Sequence, residues 1–130
     1  MPNILVIEDQ KPVRDSISEI LALIGCQTTL IGDGQVALEA LTDRRFDLIT
    51  LDLNTPSLDG LSLAEALSSA ENLNHETPVI VISAYLSNST LGSLQQLGIK
   101  HWLPKPFGAE ELLDLVRKSL EIEDATTQNQ

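Results

Sequence analysis

Three carboxylates, a hydroxyl and an ammonium group stand just after short apolar runs. Glu8-Asp9 follows Ile4 to Ile7, Asp52 follows Leu48 to Leu51, Ser83 follows Val79 to Ile82, and Lys105 comes shortly after His101 to Leu103. If each run is a strand of one parallel sheet, all these groups share the carboxyl rim, where α/β folds bind their ligands. Carboxylates gathered there repel one another and resist full ionisation unless a cation relieves them. Hard oxygen donors favour Mg²⁺, with Mn²⁺ the natural substitute. A cation beside a hydroxyl and a lysine is what a transferred phosphoryl group needs around its oxygens. Asp52 is then the nucleophile, forming an aspartyl phosphate.

The elements that must position these groups alternate along the chain. Runs rich in β-branched and aliphatic residues predict strands at Asn3 to Ile7, Thr28 to Ile31, Leu48 to Leu51, Val79 to Ile82 and His101 to Leu103. Helical spacing lies between them. Val13, Ile17, Ile20, Leu21 and Ile24 share one stripe, as do Leu112, Val116 and Leu120, with shorter stripes at Val36 to Leu41 and at Leu61, Ala64 and Leu67. Pro12 suits a first helical turn, and Gly25 and Gly98 suit helix ends. Continuous apolar strands imply burial on both faces, hence a doubly wound α/β domain with a parallel sheet. Ser89 to Leu97 is the weakest helix, because Gly92 costs roughly 1 kcal/mol against Ala, and it is expected to be the most mobile. The polar stretch from Glu121 to Gln130 is expected to fray or be disordered, which leaves residues 1–120 as the folded domain.

Composition narrows the function. In 130 residues, 8 Lys and Arg face 19 Asp and Glu, a net charge of −11 that argues against direct nucleic-acid binding and against a membrane surface. No apolar run approaches the length of a membrane span, and the N-terminus lacks the pattern of a signal peptide. The single cysteine, Cys26, is read as a small structural residue, and together these features predict a cytoplasmic location. His75 and His101 read as ordinary surface or loop residues, and Arg44-Arg45 as a complement to the end of helix two.

Taken in order, Glu8-Asp9, Asp52-Leu53-Asn54-Thr55-Pro56 with Asp59-Gly60, Ser83-Ala84 and Lys105-Pro106-Phe107 resemble the receiver domain of bacterial response regulators. The resemblance spans about Asn3 to Leu120. It implies a flavodoxin-like fold with five strands in the order 2-1-3-4-5 and five helices. It implies Asp52 as phosphoacceptor, Asp9 as direct metal ligand, Glu8 acting through water, and Asn54 offering its backbone carbonyl. Ser83 and Lys105 match the groups that hold the phosphoryl oxygens, and Lys105-Pro106 matches a peptide bond that is cis in the family. Trp102 stands where the family usually has a Tyr or Phe that turns inward on activation, while Asn54 and Tyr85 fall at positions that tune dephosphorylation. The implied partners are a sensor histidine kinase or histidine phosphotransfer protein, and a downstream protein or output domain. The surface of strand five with helices four and five is where the signal is read and where a dimer could form. The chain is thus expected to be a phosphoacceptor signalling module, not an enzyme acting on metabolites.

Competing chemistries fail at identifiable residues. A dinucleotide site needs a glycine-rich first turn, and here that turn is Glu8-Asp9-Gln10-Lys11-Pro12. There is no phosphate-cradling loop ending in Lys-Ser/Thr. A phosphatase of the dehalogenase type carries a second carboxylate two residues after its nucleophile, where this chain has Asn54. The rival from another class is a receiver-like module that binds its partner without being phosphorylated.

Overall fold

The computed structural model describes residues 1–128, and the side chains of residues 1–120. Strands and helices alternate: β1 (Asn3–Ile7), α1 (Lys11–Ala22), β2 (Gln27–Ile31), α2 (Gly34–Asp43), β3 (Leu48–Leu51), α3 (Gly60–Leu67), β4 (Val79–Ser83), α4 (Asn88–Gln96), β5 (His101–Pro104) and α5 (Ala109–Gln128). The strands form one parallel sheet in the order β2-β1-β3-β4-β5, the doubly wound flavodoxin-like arrangement. Of the tail expected to fray over Glu121 to Gln130, the backbone is described to Gln128 as the end of α5, while its side chains and residues 129–130 lie outside the described residues.

Alternation along the strands divides the core in two. Leu5, Ile7, Ile49, Leu51 and Val81 face α2, α3 and α4, where they meet Leu41, Leu63, Leu67 and Leu94. Ile4, Val6, Leu48, Ile80 and Ile82 face α1 and α5, where they meet Ile17, Leu21, Leu112 and Val116. Each fully buried Leu or Ile contributes about 1.5–3 kcal/mol of transfer free energy, so the two layers dominate the stability. Burial on both faces holds for β1, β3 and β4. The edge strands β2 and β5 are only partly covered, because each has a neighbour on one side alone.

Local signals set the boundaries. Pro12 opens α1. Asp33, Asp59 and Ser87 cap α2, α3 and α4 by accepting hydrogen bonds from backbone N–H groups of the first turns, each such cap worth about 1 kcal/mol. Gly25 and Gly98 follow α1 and α4 with φ of +78° and +86°, a left-handed conformation that costs glycine little. The weak helix forms one residue earlier than its apolar spacing suggests, because Ser87 captures Thr90 N–H. Cys26 is 6% exposed and packs in the layer under α1.

His101 opens β5, as the strand expected over His101 to Leu103 requires. Arg44 is the C-cap of α2, and its guanidinium donates to Thr29 Oγ1 at 2.9 Å and lies 4.8 Å from the centre of the Phe46 ring.

Candidate functional site

Parallel register brings the chemistry together. Ile7 pairs with Leu51, and the ladder runs one step further as Asp52 N–H donates to Ile7 O at 3.0 Å, which sets Glu8 beside Asp52. Ser83 pairs with Pro104, and Lys105 N–H donates to Ser83 O at 2.9 Å. Glu8, Asp52 and Ser83 are buried, at 1%, 2% and 1% exposure, while Asp9 is exposed at the mouth. One carboxylate oxygen from each of Glu8, Asp9 and Asp52 lies within 4.8 Å of the others. The Lys105 ammonium reaches into this group, 2.9 Å from Glu8 Oε1 and 3.6 Å from Asp52 Oδ2.

The electrostatics follow from that crowding. Burial pushes the Glu8 carboxyl up from 4.5 to about 7; the Asp52 charge adds to the rise and Lys105 opposes it. Burial alone would lower the Lys105 ammonium, but the two carboxylates overcome it and its pKa is raised. One lysine cannot satisfy the set. Its ammonium meets Glu8 Oε1 as an ion pair at 2.9 Å, and that buried oxygen has nothing else to hold it. Glu8 Oε2 accepts a long 3.3 Å bond from Gln10 N–H. Three converging carboxylates served by a single lysine suit a hard divalent cation.

The remaining expected residues surround this centre at different depths. Asn54 N–H donates to Asp52 Oδ1 at 3.1 Å, which orients the carboxylate. Ser83 is no helix cap, a role that Ser87 fills. Its Oγ closes a small turn, accepting from Tyr85 N–H and donating to Tyr85 O, both at 3.2 Å. The Lys105–Pro106 peptide bond is cis. Tyr85 is 79% exposed. Trp102 stands apart from the charges, beside Val81 in the sheet and half-buried against the layer that holds Leu94.

Sequence reasoning missed the bracing around these groups. The loop after Asp52 is latched to the start of α2, where Ser57, at φ 70°, donates from Oγ to Asp33 Oδ2 at 2.6 Å. That bond holds the Asp33 carboxyl below its usual range. Thr55 Oγ1 donates to Leu58 O at 2.7 Å within the same loop. Arg14 donates to the Glu8 carbonyl at 2.8 Å. Asp33 before a helical pattern is a readable cap signal. An arginine bonded to carbonyls leaves no trace in spacing.

The response regulator receiver domain family matches residues 4–117. The chain belongs to that family. Response regulator MprA of Mycobacterium sp. (strain KMS) is 36% identical to this receiver domain over 117 residues, 90% of this chain and 50% of MprA. The chain thus spans about half the length of the curated relatives it matches. The receiver domain of Francisella response regulator 1452 is 32% identical with a TM-score of 0.84, covering 95% of this chain and 99% of that one. The receiver domain of a Pseudomonas aeruginosa sensor histidine kinase, solved with a magnesium ion coordinated in its active-site cleft, is 30% identical with a TM-score of 0.79, covering 92% and 98%. Receiver domains are phosphoacceptor modules of two-component signalling. Among the described residues no helix is long and apolar enough to cross a membrane.

Proposed function

We propose that Asp52 is the phosphoacceptor, and that Glu8, Asp9, Asp52 and the backbone carbonyl of Asn54 hold Mg²⁺ or Mn²⁺ beside it. The observation that carries this reading is the buried Asp52 carboxylate with Lys105 Nζ at 3.6 Å and two further carboxylates within 4.8 Å. An Asp52 oxygen attacks the phosphorus of a phosphohistidine on the kinase or phosphotransfer partner. The P–N bond breaks, and its electron pair stays on the imidazole nitrogen. Lys105, already among the carboxylates, pairs with a phosphoryl oxygen, and Ser83 donates its hydroxyl to another after giving up its 3.2 Å bond to Tyr85 O. A bound divalent cation would neutralise charge on the same oxygens.

The switch follows from connection. Ser83 is bonded through its carbonyl to Lys105 N–H and leads into the turn before α4, so its movement pulls on β5 and on the surface that β5 shares with α4 and α5. Trp102 turns within that surface, which then binds a downstream protein, an output domain or a second copy. Asn54 and Tyr85, flanking the pocket, set how readily water reaches the phosphate. All of this takes place in the cytoplasm.

The test is intact mass after incubation with acetyl phosphate, with and without Mg²⁺, beside Asp52→Asn. The expected result is one added phosphate that requires Mg²⁺ and is absent from the variant. Phosphate on the variant would move the acceptor elsewhere. No phosphate from acetyl phosphate or from a cognate kinase would leave a module that binds without phosphorylation.

A further inference from the structure

We infer that Arg14 is a positioning residue for the acidic site, and that position 32 is glycine because the Arg14 guanidinium lies against it. The inference rests on the cation-binding role proposed for Glu8 and Asp9.

Arg14 stands in the first turn of α1, yet its side chain folds back over the loop that leaves β1. Nη1 donates to Glu8 O at 2.8 Å and to Asp9 O at 3.4 Å. The peptide on the other side of Glu8 is also held, since Glu8 N–H donates to Ile31 O at 3.0 Å. Fixing the peptides on both sides of a residue fixes where its Cβ points, and here that direction is into the pocket. Without such a grip, repulsion between the Glu8, Asp9 and Asp52 carboxylates would be relieved by turning the loop outward.

Gly32 completes the arrangement. A methyl group there would stand 2.5 Å from Arg14 Nη1 and 3.5 Å from Glu8 O. The backbone at Gly32 is not left-handed, so the need is for space and not for conformation. The obstructed atom is the far end of a flexible side chain. An alanine therefore displaces the guanidinium without breaking the fold and without altering charge.

Arg14 could instead serve by charge alone, softening the repulsion among the carboxylates. The two readings have opposite signs. A positive charge near a cation site opposes the cation, so removing it strengthens Mg²⁺ binding, whereas losing the grip weakens it. Calorimetric Mg²⁺ titration of the wild type, Arg14→Met, Gly32→Ala and the double variant separates them. Each single change is expected to weaken Mg²⁺ by about tenfold. The double variant is expected to be no weaker than the worse single, because both changes remove the same contact. Unchanged or tighter binding in Gly32→Ala or in a folded Arg14→Met, or losses that add in the double variant, would overturn the inference. Should Arg14→Met fail to fold, Gly32→Ala decides alone. Absence of Mg²⁺ binding in the wild type would be a different failure, that of the cation reading itself, and would take the inference with it.

Discussion

Asn74 and Glu8 are equally buried, each 1% exposed, at opposite poles of the sheet, and their surroundings treat them in opposite ways. Asn74 lies below the first residues of β3 and β4. Its Oδ1 accepts from Phe46 N–H at 2.9 Å and Thr77 Oγ1 at 3.0 Å, and its Nδ2 donates to Leu41 O and Arg44 O, both at 2.9 Å. Glu8, at the other pole, has one oxygen held only by the Lys105 ammonium, and two acidic neighbours. A buried amide with all its bonds made ties three segments together. A buried carboxylate left short of partners weakens the fold and readies a site. The chain puts its structural polar group and its chemical one as far apart as the sheet allows.

The largest effect on stability is expected at the structural pole. Asn74→Ala removes four hydrogen bonds, leaves Phe46 N–H and Leu41 O without the side chain that meets them, and should cost about 3–5 kcal/mol in urea unfolding. Phosphate uptake per folded molecule should be unchanged. A cost below about 1 kcal/mol would break the contrast, since it would mean that the loops close without the amide.

Glu8 gives a smaller effect, with a sign that can be worked out. Its carboxyl is raised from 4.5 to about 7 in the fold, so the native state holds a proton that the unfolded chain has lost. In metal-free protein its contribution is fully present below about pH 4.5 and is lost as pH rises through about 7. Glu8→Gln should therefore gain on the wild type between pH 5 and pH 8, by up to about 3 kcal/mol, in unfolding measured at each pH. A difference that does not change with pH would mean that Glu8 is not held at a cost.

Gly92→Ala sharpens the comparison with the smallest change. No atom lies within 4 Å of where the methyl would go, so helix propensity alone should add about 1 kcal/mol and raise amide protection in α4. No gain in protection would show that α4 opens for reasons other than its glycine.

How much of this was legible in the sequence follows the same divide. That Glu8, Asp9, Asp52, Ser83 and Lys105 share one rim could be read because each stands just past an apolar run, and the structure brings them to that rim. The central strands could be read because burial on both faces makes them continuously apolar. The edge strands were readable from Thr28 to Ile31 and from His101 to Leu103, each one residue short: Gln27 opens β2 and Pro104 closes β5, and neither residue advertises a strand. Nothing in Asn72 to Thr77 says that the Asn74 amide turns inward. Arg14 carries no signal in the sequence, because its partners are carbonyls, which every residue has.

Cys26 leaves the chain ready for labelling. Burial pushes its thiol up, with Asp47 adding to the shift, and the side chain is 6% exposed, so little reactive thiolate is presented at neutral pH. A cysteine introduced in place of Tyr85, 79% exposed, is then the one sulfur that a maleimide reaches. A fluorophore can be hung on the turn beside Ser83 with the native thiol left in place, and it would report on that turn from a single attachment point.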